Sequence, residues 1–397
     1  MNRALRLACL LGIRERILYT VSLNHAANDS SVHLLPTLFP VFLGLFQLDV
    51  FQIGIIVGVG FVINVLFQPV AGRLADRTSR HSLLMLGIGI LGVSMVIFTF
   101  ATSFLGLLLV AILLRLGSSF YHPVGTSVLS RTFFHKEIDR VMGIQSSFGN
   151  LGIMSAFIVG PILYSFFGWQ APFYTWVMIN VAVVVITFFN RHGFDQNSSK
   201  VSGEVASSSV EIFREHRSSL FMIAVAGSAY ALISNFGNLL AVTRGFTLVG
   251  ADFMIAAWLG TATVGSILFG RISHQWGRRR TLSVAFALLG GTILAIIISS
   301  NEIVLIGALL ANGFMLSLTY PGIYAEVSDQ LKIESSGKVF GILYSFQILG
   351  SAIFSFTSGY LSSLFGLEAP FVVLAGLALA TLVVLEVLPR AIRLFAP

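Results

Sequence analysis

His25, Asn28, Asp29 and His33 sit in the middle of the first long hydrophobic segment, between Leu23 and Leu35. His25, Asp29 and His33 recur every four residues, so on a helix they form one gently drifting stripe. A carboxylate flanked by imidazoles at that spacing suits uptake and relay of a proton, because histidine titrates near physiological pH. The same donors are ordinary ligands for a divalent transition metal. Arg115 and His122, two turns apart in the fourth hydrophobic segment, add a fixed cation and a third imidazole. An ionisable group at mid-membrane depth costs about 2.5–3.5 kcal/mol even on a lenient insertion scale, so such a set implies a use.

Asp29 and Arg115 fall at similar depth in their segments, and a charge pair there would offset much of each insertion cost. Two readings stand side by side. A static pair would tie two helices together, and breaking it would cost about 3–5 kcal/mol. A switch would let substrate bind Arg115 and free Asp29 to take a proton. His25 and His122 lie on antiparallel segments and are expected to approach one another; each alone could simply hydrogen-bond a neighbouring helix. Proton coupling is therefore assigned to Asp29, His25 and His122. Substrate contact is assigned to Arg115, His33, Asn28, Tyr121, Asn150, Asn235 and Asn238. Against a metal stands the fixed charge of Arg115, which repels a cation. Asn64, Gln68, Asn150, Asn235, Asn238, Asn312 and Gln347 all also fit hydrogen-bonding glue between helices, worth about 0.6 kcal/mol each. Glu326, near the end of the tenth segment, is expected at an interface.

The elements that position these groups are membrane helices. The chain of 397 residues is 56% hydrophobic and 10% charged, against about 25% charged in an ordinary soluble protein. Continuous apolar stretches of spanning length are read at 18–46, 51–72, 82–101, 105–130, 140–165, 169–190, 218–243, 250–271, 281–299, 303–326, 338–364 and 369–389. The runs are continuous rather than alternating, which excludes an outer-membrane barrel. A single cysteine, Cys9, excludes an internal disulfide and a thiolate metal cluster. Met1 to Arg16 lacks a cleavage signal and is expected to form a short helix on the inner surface. The net charge of +7 records topology rather than nucleic acid: with the N-terminus inside, every Lys and Arg except Arg115 and Arg244 falls on the cytoplasmic side.

Residues 191–217 are rich in Ser and charge and read as a cytoplasmic linker between two six-helix bundles, 1–190 and 218–397. The bundles repeat at one constant offset of 198 residues, as between Gly72 and Gly270. Pro123 then matches Pro321, Ser147 and Phe148 match Ser345 and Phe346, and Ala171, Pro172 and Phe173 match Ala369, Pro370 and Phe371. A duplicated six-helix unit is the mark of a transporter with its site near the midplane. His25, Asp29, His33, Arg115 and His122 correspond to Ile223, Gly227, Ala231, Gly313 and Tyr320, so the charged chemistry is expected in the first half only.

The run Gly72, Arg73, Leu74, Ala75, Asp76, Arg77, Thr78, Ser79 and Arg80 resembles the signature loop of the major facilitator superfamily, with a weaker copy from Gly270 to Arg280. Two finer patterns resemble the fosmidomycin-resistance type of drug:proton antiporter within it. One is Ser22 to Asp29 with Gln52, Ile53, Gly54, Gln68 and Pro69; the other runs from Gly117 to Pro123. The chain departs from that type at Val124, where an acidic residue is usual, and at Arg115. The resemblance implies twelve helices, a proton-coupled carrier open alternately to each side, and gate roles for Arg73, Asp76, Arg77 and Arg271, with a turn at Gly72. Gly160 and Pro161 resemble the Gly-Pro element of exporters, although Gly-Pro also occurs wherever membrane helices kink and pack.

No phosphate-cradling lysine loop and no nucleophile motif is present, so neither an ATP-driven pump nor an enzyme is expected. The expected activity is proton-coupled export of a small organic molecule, an anionic one included, by a monomer in the cytoplasmic membrane, with both termini inside and no cofactor besides the proton. An importer or exchanger of an organic anion, a divalent-metal carrier and a non-transporting receptor are the rivals. The buried charges argue against the receptor, which would have nothing to offset their insertion cost.

Overall fold

The computed structural model describes residues 3–133, 135–191, 194, 213–328 and 336–387, which leaves most of the 191–217 linker outside the described residues. Apolar segments without water must satisfy every backbone N–H and C=O internally. These do so as helices, and no strand occurs among the described residues. Before the linker come α1 (Arg3–Thr37), α2 (Phe39–Leu45), α3 (Val50–Arg77), α4 (Arg80–Phe98), α5 (Phe104–Ser118), α6 (Tyr121–Thr132), α7 (His135–Phe167) and α8 (Ala171–Phe189). After it come α9 (Arg217–Thr243), α10 (Leu248–Trp276), α11 (Arg278–Ile298), α12 (Glu302–Ser328), α13 (Ser336–Phe365) and α14 (Ala369–Leu382), continued by a π-helical turn over Val383–Val387.

Among the described residues, eleven helices are long and apolar enough to cross a membrane, with α5 and α6 forming one span. The twelfth long helix is α1. Its polar stripe of Asn24, His25, Asn28, Asp29 and His33 keeps its hydropathy below that of the others. Exposed apolar side chains such as Phe166, Phe167, Met178 and Ile298 are the lipid-facing surface of an integral membrane protein.

Three local expectations are corrected. The Met1 to Arg16 stretch forms no separate surface helix: α1 runs unbroken from Arg3 to Thr37. The first span instead ends before residue 46, because Pro40 sits in the first turn of α2, where its missing N–H is harmless and its ring blocks helix continuation. Gly72 is no turn, since α3 continues through it to Arg77. A Cβ at Gly72 would meet Pro123 at 3.6 Å, an ordinary contact, so α3 and α6 lie side by side here without needing a glycine.

The fourth span is interrupted at Ser119 and Phe120, immediately before His122. Pro123 cannot donate to the carbonyl of Ser119 and crowds it. The chain tightens there, with the Phe120 N–H on the Gly117 carbonyl at 3.3 Å. Ser119 Oγ donates to the Arg115 carbonyl at 2.8 Å and to Asn64 Oδ1 at 3.2 Å. Its twin, Pro321, sits inside the continuous helix α12.

The chain divides into two compact units: Met1–Leu48 with Val59–Lys200, and Asp49–Gly58 with Val201–Pro397. In the first, α1 lies along α7, where Gly152 faces the backbone of Ala26 too closely to admit a Cβ. In the second, α9 lies along α13, where Gly350 faces Ala224 in the same way. Both pairs keep the offset of 198 residues, so the repeat in sequence is a repeat in packing. Each unit also has its own polar ties. In the first, Asn24 donates to Thr187 Oγ1 at 2.8 Å and Asn180 to Ser31 Oγ at 3.0 Å. In the second, Trp258 Nε1 donates to Asn312 Oδ1 at 3.2 Å, and Asn312 Nδ2 to Thr292 Oγ1 at 3.1 Å. Tyr324 donates to Gln347 Oε1 at 3.2 Å. Arg244 donates to the Ile297 carbonyl at 2.9 Å, near the end of α11.

Candidate functional site

The polar stripe of α1 packs against α6 and α7 inside the first unit. On α7, Gln145, Gly149 and Gly152 follow one another at helical spacing and share a face. His25 occupies the gap that Gly149 leaves: a Cβ there would lie 2.5–2.9 Å from three atoms of the imidazole. The ring is held on every side. Its Nδ1 meets the Gln145 carbonyl at 2.8 Å, its Nε2 meets Asp29 Oδ2 at 3.1 Å, and its face stacks on Tyr121 at 4.5 Å between centroids. Gln145 also donates its amide to the Tyr121 hydroxyl at 3.1 Å, so one residue of α7 positions both rings.

Asp29 is the hub. Its Oδ1 accepts from Asn28 Nδ2 at 2.8 Å and lies 3.7 Å from His122 Nε2. Its backbone carbonyl takes His33 Nδ1 at 2.8 Å. The interruption of the fourth span brings His122 in, with its ring 5.3 Å from that of His25 and nearly perpendicular to it. The His122 side chain is about one-third exposed (32%) while those of His25 and Asp29 are at 9% and 15%. The cluster is therefore buried on one side and open on the other.

The proton inventory of this cluster follows from its donors and acceptors. A backbone carbonyl has only lone pairs, so His25 Nδ1 must carry hydrogen. Were His25 otherwise neutral and Asp29 ionised, the Nε2 lone pair would face a carboxylate oxygen at 3.1 Å, with repulsion and no bond. One further proton has to lie between His25 Nε2 and Asp29 Oδ2, whichever atom carries it.

Arg115 lies on α5 with its guanidinium 4.7 Å over the Phe61 ring, and its stem runs against Gly60, where a Cβ would come within 3.0 Å of it. The structure thus gives Asp29 two histidine partners and gives Arg115 an aromatic seat. Asn150 follows Gly149 on α7 and is half-buried.

Asn235 and Asn238 belong to the second unit and have partners within it. Asn235 Nδ2 donates to the Ala231 carbonyl of its own helix at 2.8 Å and to Ser234 at 3.0 Å. Asn238 Nδ2 donates to Asp252 Oδ1 at 2.9 Å. Asp252 is fully buried and its Oδ2 has no hydrogen-bond partner among the described residues. This buried acid of the second half was not among the expected site residues. Its signal was present in the sequence, as an acid just inside the eighth span. Gln145 was also missed; its signal was an amide whose repeat-related twin is the apolar Leu343. Arg73, Arg77 and Arg271 are exposed, and Arg73 Nε donates to the Pro69 carbonyl one turn back at 3.3 Å. The side chain of Asp76 lies outside the described residues. Glu326 is half-buried at the end of α12, next to Ala325, whose carbonyl accepts from Arg278 at 3.0 Å.

The family model of the Major Facilitator Superfamily matches residues 21–263 and again 220–393. The chain belongs to the major facilitator superfamily. A relative from Escherichia coli K12, the fosmidomycin resistance protein, is 24% identical over 375 residues, 87% of each chain. An uncharacterized MFS-type transporter of Methanocaldococcus jannaschii is 24% identical over 329 residues, 80% of this chain and 83% of that one. Among solved structures, a bacterial homologue of the human lysosomal transporter Spinster superposes with a TM-score of 0.77 at 16% identity, over 96% of each chain. A major facilitator chain is a membrane transport protein, and the cluster on α1, α6 and α7 is the polar feature that this one has built into a bilayer-spanning helix.

The fit of His25 against Gly149 makes that glycine a sensitive probe. Gly149→Ala is expected to push the imidazole off both the Gln145 carbonyl and Asp29, and to lower transport flux by about tenfold or more, since displacing a positioned group by about 1 Å can cost still more. Gly143→Ala, six residues earlier on α7 in open space, is the control, and its flux is expected to match the wild type. Proteoliposome flux under one imposed gradient compares the two.

Proposed function

We propose that this chain is a proton-coupled secondary transporter that exports a small organic molecule, with Asp29, His25 and His122 carrying the proton. The observation that carries the reading is the His25 ring, fixed between the Gln145 carbonyl and Asp29 so that one exchangeable proton belongs to the pair. Release of that proton changes what Asp29 attracts, and His122 at 3.7 Å is the open-sided partner through which water reaches it. Arg115 attracts an anionic group of the substrate, with His33, Asn28, Tyr121 and Asn150 around it. Asn235 and Asn238 contribute from the second half, and Arg73, Asp76, Arg77 and Arg271 serve the gates. The name of the Escherichia coli relative supports export and a drug-like substrate.

The two halves, 1–190 and 218–397, alternate access around the linker 191–217. One chain holds both, so the monomer is the working unit. The distribution of Lys and Arg supports a place in the cytoplasmic membrane with both termini in the cytoplasm.

Proteoliposome flux under an imposed pH gradient tests this reading on fosmidomycin and a dicarboxylate. Flux of at least one compound is expected to rise with the gradient and to collapse when a protonophore abolishes it. Flux that ignores the gradient for every compound carried would remove proton coupling.

A further inference from the structure

We propose that His25 Nε2, the Asp29 carboxylate and His122 Nε2 form a binding site for a divalent transition metal of the Zn2+ type, which takes the place of the shared proton. The proposal uses the cluster of the transport reading but none of its transport steps, so metal binding to the purified chain is measurable whether or not proton coupling holds.

The ligand atoms are already near the required geometry. One atom from each of His25, Asp29 and His122 lies within 4.8 Å of the others, with contacts of 3.1 Å and 3.7 Å to the carboxylate. Around a tetrahedral Zn2+ with bonds of about 2.0–2.1 Å, ligand atoms stand about 3.3 Å apart. The His25–Asp29 contact already has that spacing. His122, on the open side of the cluster, has to close by a small rotation.

The outer shell is also that of a metal site. A ligating histidine almost always donates its other ring N–H to a carbonyl or carboxylate, which fixes the tautomer and aims the lone pair. His25 does so through Nδ1 and the Gln145 carbonyl. Asn28 donates to Asp29 Oδ1 and orients the carboxylate. Two imidazoles and one carboxylate leave a fourth position for water, which the partly exposed His122 side supplies.

The side chains that meet the cluster from α6, α7 and α8 are neutral. On α1, His33 is turned to the Asp29 backbone carbonyl. On α5, Arg115 has its guanidinium over the Phe61 ring. α6 presents Tyr121, α7 presents Gln145 and Gly149, and α8 meets α1 with the neutral Asn180 and Thr187. The exchange balances simply: metal–nitrogen and metal–oxygen bonds form, one proton leaves the His25–Asp29 pair for solvent, and nothing is oxidised or reduced.

Calorimetric titration of the tag-free, purified chain with ZnCl2, in two buffers of different ionisation enthalpy, tests this. One ion per chain is expected, with one proton released per ion and affinity falling about tenfold per pH unit on acidification. His122→Gln and Asp29→Asn are each expected to weaken binding by about tenfold or more, and His122→Cys, which keeps a ligand, to restore it. His274→Gln, at an exposed position of α10, is expected to leave affinity unchanged, and Mg2+ to give no signal at this nitrogen-rich site. Absence of saturable Zn2+ binding, or binding that both His122→Gln and Asp29→Asn leave intact, overturns the proposal.

Discussion

Asp29→Asn is expected to abolish flux driven by a pH gradient, by about 100-fold or to background, while leaving exchange of substrate across the membrane measurable. The magnitude is the usual scale for removing a positioned proton-transfer group. The substitution is nearly isosteric, and the hydrogen-bond inventory explains why the site should survive it. The oxygen of the new side-chain amide can still accept from Asn28. The amide nitrogen can donate to His25 Nε2, which then needs no extra proton because Nδ1 already carries the one bonded to Gln145. The cluster keeps its shape and loses its exchangeable proton. Exchange at equal pH on both sides needs only the moving parts, whereas accumulation needs the proton. Proteoliposomes assayed both ways separate the two, and an unchanged pH dependence in the variant would mean that Asp29 is structural.

Gly152→Ala and Gly350→Ala are expected to destabilise the protein by similar amounts, about 1–3 kcal/mol each, the usual cost of forcing a methyl into a filled contact. At Gly152 the obstacle is the backbone of Ala26, and at Gly350 the backbone of Ala224. Neither can rotate away as a side chain would, so the helices themselves must part. Small residues at such positions are what let membrane helices approach closely and gain dispersion contacts without a hydrophobic driving force. A second pair of repeat-related glycines, Gly143 and Gly341, has open space around the same position. Alanine there should stabilise slightly, because helix-interior glycine costs about 0.5–1 kcal/mol relative to alanine. Thermal unfolding in detergent should therefore move in opposite directions for the two pairs. Equal shifts in all four variants would mean that the close α1–α7 and α9–α13 contacts contribute little.

Much of the architecture is legible in the sequence. Continuous apolar runs leave helices as the only backbone solution in a bilayer, and the constant offset of 198 residues carried through to the paired glycine contacts. The approach of His25 to His122 could be anticipated because both spans and their directions were readable. Breaks were harder. Pro123 and Pro321 look alike in the sequence, yet only the segment holding Pro123 is interrupted. The chain before Pro123 is Gly117, Ser118 and Ser119, and the Ser119 hydroxyl turns to Asn64 and the Arg115 carbonyl; the twin segment has Met315, Leu316 and Ser317.

From its residues alone, the chain is determined to be a duplicated helical membrane protein with ionisable groups concentrated on its first span, because composition, periodicity and repeat are local properties. What those groups touch was decided by tertiary structure. The partner that fixes the His25 tautomer is a backbone oxygen of Gln145, which no side-chain pattern encodes. The space for the ring is the missing side chain of Gly149, and the seat of Arg115 is the face of Phe61. Each depends on two helices distant in sequence meeting in one register.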